Sequence, residues 1–387
     1  MRSLAKFLFC MAAGGALVAG LGCERAPEDP AVMLAASRQA VEQNPRDLGA
    51  RYELGVASLA AGLHREALAC FEHVLRADSS HAGSWSGSGT ILSLLDQQDR
   101  AVFAFKRALA LDPGDVTAHR GLGMVALRRQ QYATARRSYS RAVELRPGHA
   151  PSHYNLGVAC SKERAYDEAA RQMRRAIDLD PEYLLPYVTL SKIYCDKLGD
   201  CAAGIRFLRQ GLEQLPNEPL LYSGLGGAEL QLGRAAPAVA AFQRALQLDS
   251  VAVEAHIGLG TARAQLGQFA AAEAALQRAV ALNPIFPEAH YQLSLLLKKQ
   301  GRSEEADRKM ETFKRINVHF DRIRHYRSLL AGDAHNVGAM LGLGTILAQL
   351  GLPARAASQY EKALSFAPEH AEGWHNLGSV YTRLDRL

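Results

Sequence analysis

Aromatic residues are scarce in this chain. They make up 7% of its 387 residues, and only two are tryptophan. A hydrophobic content of 48%, rich in Ala, Leu and Gly, suits helices packed closely on one another. Cysteine is also sparse: there are six, and no pair has the spacing of a zinc site. No His-Glu-x-x-His occurs, and the thirteen histidines are scattered. Beyond Leu21 no stretch is apolar enough to span a membrane. The net charge of +6 is mildly basic for this size and does not by itself indicate nucleic acid. Nucleic-acid binding would need basic residues interleaved with stacking aromatics and a cytoplasmic address, and the leader-like N-terminus argues against that partner.

Reaction signatures fail one by one. Gly-Leu-Gly occurs at 121–123, 224–226, 258–260 and 342–344, but inside predicted helices and with no strand before it, so packing explains it better than a dinucleotide loop. In Gly83-Ser84-Trp85-Ser86-Gly87 a tryptophan holds the middle place, which excludes a nucleophile elbow. No catalytic residue and no cofactor is expected, and the chain reads as a non-enzyme.

The N-terminus carries an address. Arg2 and Lys6 precede an apolar run of fifteen residues, Phe7 to Leu21, a secretory length that falls short of a membrane span. Leu21-Gly22-Cys23 and a polar stretch follow. Residues 1–22 resemble a bacterial lipoprotein leader, which implies Cys23 as the lipidated first residue and attachment to the cell envelope facing the periplasm. Ordinary cleavage and a soluble exported protein is the alternative. Residues 23–30 would then be a tether.

What the chain has in abundance is a repeat of 34 residues. Units run 48–81, 82–115, 116–149, 150–183, 184–218, 219–252, 253–286, 287–320 and 337–370, with a partial unit at 371–387. Each reads as two short helices. The eighth position is Gly55, Gly89, Gly123, Gly157, Ser191, Gly226, Gly260, Ser294, Gly344 and Gly378, and the twentieth is alanine or glycine throughout. Small residues there let two helices approach, at a helix cost of about 1 kcal/mol for glycine. Pro113, Pro147, Pro181, Pro216, Pro284 and Pro368 stand at unit ends. One hairpin cannot bury both its apolar faces, so the units must stack.

The recurring Leu-Gly pair, the small twentieth residue, the terminal proline, and Trp85 and Trp374 at the fourth position resemble the tetratricopeptide repeat (TPR) family, over about residues 31 to 387. The resemblance implies an all-α, right-handed solenoid, a superhelix with a concave groove lined by first helices, and protein or peptide binding. Residues 31–47 would cap its N-terminal end, with repeats one to eight over 48–320, an extra helix at 321–336, and repeat nine with a partial tenth over 337–387.

The same resemblance places positions two, five, six, nine, twelve and thirteen on the groove. Gly87, Gly121, Gly224, Gly258 and Gly342 fill position six. Only Asn155 and Asn376 match the asparagine ladder of some relatives. Arg120, Arg128, Asn155, Lys162 and Lys192 loosely echo the family's carboxylate clamp and favour an acidic peptide. Solvated surface charge is the competing reading. Tyr291, Lys298 and Lys299 form a second candidate. His119, His153, His256 and His290 share the fourth position, where packing is the default reading over metal binding.

Some units depart from the pattern. Unit 184–218 has one extra residue near Lys197–Cys201, and Gly204 and Gly211 are expected to loosen its second helix. Cys195 and Cys201 are either a disulfide of an exported protein or two reduced thiols. Residues 321–336 are either a joint or the extension of a neighbouring helix. The last unit has no second helix, which invites a partner or self-association through its first. The functional expectation is an envelope scaffold for protein partners. The alternative is the substrate-recruiting segment of an enzyme, as in some glycosyltransferases.

Overall fold

In each unit the chain must reverse between two helices within a few residues, and the fifteenth residue accomplishes this with a left-handed backbone. It is glycine at Gly62, Gly233, Gly267, Gly301 and Gly351, and Gly199 does the same after the extra residue. Three successive units use a residue with a side chain instead: Asp96, Gln130 and Arg164, with φ of 59°, 58° and 65°. Between units, an aspartate beyond the second helix folds the chain again. Asp78, Asp112, Asp180, Asp249 and Asp333 each accept a backbone N–H two residues on, the Asx turn of loop-forming aspartates. Asp47, Asp115, Asp200 and Asn336 then cap the following helices by accepting a backbone N–H three residues on.

The computed structural model describes residues 30–384, and the described residues form twenty helices and no strand. The leader 1–22, Cys23, the tether up to residue 29 and Leu387 lie outside them. α1 (Pro30–Gln43) packs on α2 (Leu48–Ala60), the first helix of the first pair. The pairs continue as α2/α3 (His64–Ala77), α4 (Ala82–Leu94)/α5 (Gln98–Leu111), α6 (Val116–Arg128)/α7 (Tyr132–Leu145) and α8 (Ala150–Lys162)/α9 (Tyr166–Leu179). Then follow α10 (Leu184–Ile193)/α11 (Cys201–Gln214), α12 (Pro219–Gln231)/α13 (Ala235–Leu248), α14 (Val253–Gln265)/α15 (Phe269–Leu282) and α16 (Pro287–Lys299)/α17 (Ser303–Gly332). α18 (Val337–Gln349), α19 (Pro353–Phe366) and α20 (Ala371–Arg383) close the described chain. This is an all-α solenoid.

The residues group into two units. Among the described residues, one holds those up to Glu163 with Tyr326–Leu343 and Ser358–Gly378; the other holds Arg164–His325, Gly344–Ala357 and those from Ser379 to residue 384. Within the first, Arg65 at the start of α3 meets Asp333 at 3.7 Å.

Inside each unit, rings and glycines interlock. Phe105 on α5 lies against Gly89 of its own pair and Gly121 of the next, where a Cβ would come within 2.7 and 2.1 Å of the ring. Phe71 does the same between Gly55 and Gly87, and Phe242 between Gly226 and Gly258. One ring at position 24 thus plugs two missing side chains, at position eight behind it and position six ahead of it. This corrects the groove assignment of Gly87, Gly121, Gly224, Gly258 and Gly342. They are seats for the preceding second helix: Leu208 covers Gly224 and Tyr326 covers Gly342.

The fourth position has a purpose beyond packing. Trp85 Nε1 donates to the Ser79 carbonyl at 2.9 Å, and Trp374 Nε1 to Pro368 at 2.8 Å. Tyr187 and Tyr222 donate through their hydroxyls to Pro181 and Pro216. His119, His153, His256 and His290 bond through Nε2 to the carbonyls of Pro113, Pro147, Ser250 and Pro284. Each reaches six residues back and ties the first helix to the turn that enters it.

Two irregular segments resolve. The extra residue of unit 184–218 sits in a π turn, Tyr194–Leu198, that ends at left-handed Gly199. α11 runs unbroken from Cys201 to Gln214 through Gly204 and Gly211. A Cβ on Gly204 would lie 2.9 Å from the Ser191 carbonyl oxygen, and one on Gly211 3.0 Å from Tyr187, so both are points of close approach. Residues 321–332 continue α17, a single helix of 30 residues.

Candidate functional site

First helices are the natural place to look, because they meet one another as well as their own partners. α2 touches α4, and α4 touches α6. In the second unit α10, α12, α14 and α16 touch in succession.

In the first unit, the expected clamp residues do not form an exposed wall. Arg120 is 1% exposed, buried among the helices of the third pair. Arg128 is half-buried and donates to the Ser93 carbonyl at 2.6 Å, which caps the last turn of α4. Burial pulls its guanidinium below the usual arginine range. Tyr139 stands beside both arginines. Burial raises its phenol well above the ordinary value, against the pull of Arg120 and Arg128. His149 is pushed down to about 4 by burial first and then by Arg120, Arg146 and His153. This cluster works inside the stack. Asn155 is half-buried, and Lys162 at the end of α8 is exposed.

The second unit presents more open surface. Lys192 is exposed on α10. Tyr291 is half-buried and leans on Phe313 of α17, ring centroids 5.3 Å apart. Lys298 and Lys299 are exposed at the end of α16 and border a cleft of about 340 Å³ between α14 and α16. Thr261, Ala264 and Gln265 form one side, Gln292, Leu295 and Leu296 the other, and Leu276 contributes from α15. Sequence reading found the lysines of this cleft and missed the cleft. The available signal was Thr261, Ala264, Gln265 and Leu295 at positions nine, twelve and thirteen, small or flexible side chains facing one gap.

Cys195 and Cys201 are bridged, with Cα atoms 4.0 Å apart, across the π turn. Cys70 and Cys160 are buried thiols, and burial raises the Cys70 thiol. Glu229, buried on α12, lies between Arg209 at 3.6 Å and Arg234 at 3.5 Å, so its charge is compensated. Among the described residues no cluster of three or more His, Cys, Asp or Glu is placed to hold a metal ion, and no helix is long and apolar enough to cross a membrane.

A family model described as Tetratricopeptide repeat matches residues 34–82, 92–150, 121–183, 196–253, 323–371 and 341–387. A second, described as TPR repeat, matches 260–301. No curated protein matches the chain. Among solved structures, the chain is similar to MamA residues 41-end from Desulfovibrio magneticus RS-1 (23% identity, 49% of this chain and 96% of that one, TM-score 0.38). It is also similar to a tetratricopeptide repeat protein from Parabacteroides merdae (13% identity, 68% and 99%, TM-score 0.48). A third is the APC/C hetero-tetramer Cut9-Hcn1 (13% identity, 90% and 81%, TM-score 0.43).

Proposed function

The chain belongs to the tetratricopeptide repeat family, a protein–protein interaction scaffold, and from that premise we propose that it is a non-catalytic adaptor of the bacterial cell envelope that binds extended protein segments along its first helices. The observation that carries the reading is the row of touching first helices in the second unit, with exposed cations at Lys192, Lys298 and Lys299 and a cleft between two of them. Acidic segments are the matching partners, since an ammonium on a dry-walled groove gains most from a carboxylate. The address rests on the leader-like residues 1–22, with Cys23 as the lipidated residue holding the scaffold at a membrane surface.

Two measurements test this. The full chain and a Lys162→Glu/Lys192→Glu variant, both expected to fold because these side chains are exposed, are used to capture proteins from solubilised envelope extract. A partner held by the first and lost by the second supports binding along the first helices. A partner held equally by both removes Lys162 and Lys192 from the interaction and leaves Lys298 and Lys299 to be tested in the same way. For the anchor, metabolic labelling with palmitate should mark the full chain and not Cys23→Ser; equal labelling would remove Cys23 from the account.

A further inference from the structure

We propose that the cleft between α14 and α16 seats one large apolar side chain of the bound segment, and that Lys298 and Lys299 take the carboxylates next to that anchor in the segment's sequence. This rests on the reading above and names the kind of segment it would select.

The lining decides the chemistry. Ala264, Leu276, Leu295 and Leu296 give the cleft apolar walls, and Leu295 is 37% exposed at its rim. Of the polar lining besides the lysines, Gln265 is exposed, and Thr261 and Gln292 each make a bond within their own helix. Thr261 Oγ1 donates to the Ile257 carbonyl at 2.9 Å, and Gln292 Nε2 donates to Glu288 at 2.6 Å. A polar group entering the cleft would lose water and find few partners there, whereas an apolar one loses nothing by leaving water. At about 340 Å³ the cleft is at the small end of the roughly 300–1,000 Å³ typical of ligand pockets, a size that suits one anchoring side chain.

The lysines decide the neighbour. No acidic side chain lines the cleft, and neither ammonium is paired with a carboxylate among the described residues. Lysines at a helix end often serve its last carbonyls. Here those carbonyls are served by backbone: the Gln300 N–H bonds the carbonyls of Leu296 and Leu297, Gly301 N–H that of Lys298, and Arg302 N–H again that of Leu297. Lys298 and Lys299 are therefore available to an incoming anion. No aromatic side chain lines the cleft, which gives a nucleobase nothing to stack on.

The test is a selection of random linear twelve-residue peptides displayed on phage against the full chain, followed by affinities for the enriched peptides made as fluorescent synthetic probes. The expected consensus is a large apolar residue followed within three positions by Asp or Glu. Affinity should fall at least tenfold in Lys298→Glu/Lys299→Glu, in Leu295→Asp at the exposed rim and in Ala264→Trp, which fills the cleft. Unchanged thermal midpoints in the first two variants show that the fold is kept. Peptides that lack this pattern, or that keep their affinity in all three variants while losing it in Lys162→Glu/Lys192→Glu, overturn the cleft and leave the first-helix reading standing. Enrichment of no peptide, or binding indifferent to every one of these substitutions, overturns both.

Discussion

Phe105 covers Gly121 so closely that a methyl group on the glycine would stand 2.1 Å from the ring's Cζ. The ring is fully buried and has nowhere to withdraw. Gly121→Ala should therefore cost about 1–3 kcal/mol by overpacking, although alanine is the better helix former. Gly227, in α12, has nothing within 4 Å of where its Cβ would be. Gly227→Ala should instead stabilise by about 1 kcal/mol. Urea unfolding of the two variants should move the midpoint in opposite directions; a shared direction would mean that the interlock is not what fixes these glycines.

His290 bonds the Pro284 carbonyl through Nε2 at 2.9 Å and is buried. His290→Tyr keeps a donor at that place, as Tyr187 and Tyr222 do naturally, and should be tolerated. His290→Phe keeps the ring and loses the donor, leaving a carbonyl unpaired at a cost of about 1–3 kcal/mol. Equal unfolding midpoints for the two variants would reduce the fourth position to packing after all.

Gln130 holds a left-handed backbone at φ 58° with its side chain exposed. A left-handed residue with a Cβ costs roughly 1–2 kcal/mol, part of which glycine returns through its looser unfolded state. Gln130→Gly should stabilise by about 0.5–1 kcal/mol. Gly233→Gln, at φ 71°, should cost about 1 kcal/mol. Midpoints that do not move apart in this way would count against strain at the turn.

His149 titrates near 4 in the folded protein, against an ordinary value of 6.5. A histidine depressed by folding binds protons more readily when unfolded. Its contribution to stability is therefore whole above pH 6.5 and is lost as pH falls from 6.5 through about 4. Allowing for its partial exposure, the loss is on the order of 1–2 kcal/mol. Unfolding midpoints of the parent should decline across that window, and those of His149→Gln should decline less. A parallel decline would place the titration in another group.

The sequence revealed the repeat because glycine, alanine and proline recur at fixed places, and those places are where backbones touch or turn. It was less informative about what faces what. The family resemblance assigns position six to the groove, yet Gly121 and Gly258 face rings from the preceding pair. The partner of each glycine lies sixteen residues away, and only the packed structure pairs them. Arg120 and Arg128 read as an echo of the family's carboxylate clamp, but a cation on a helix face carries no sign of whether a neighbour covers it. The fourth-position bond was legible in principle. Trp85, His119, Tyr187 and Tyr222 differ in size but share a donor at the tip.

The interlocking rings also decide which repeats are interchangeable. A ring at position 24 serves the glycine ahead of it, so the element that must be inherited whole runs from one second helix to the next first helix, out of step with the 34-residue frame. Excising 82–115 would bring Phe71 against Gly121, a matched seat. Excising 116–149 would set Phe105 before Asn155 in the place of Tyr139, and would remove the seat that Phe105 fills at Gly121. A chain lengthened or shortened by whole repeats would keep this interlock only at joints that preserve a ring and its glycine.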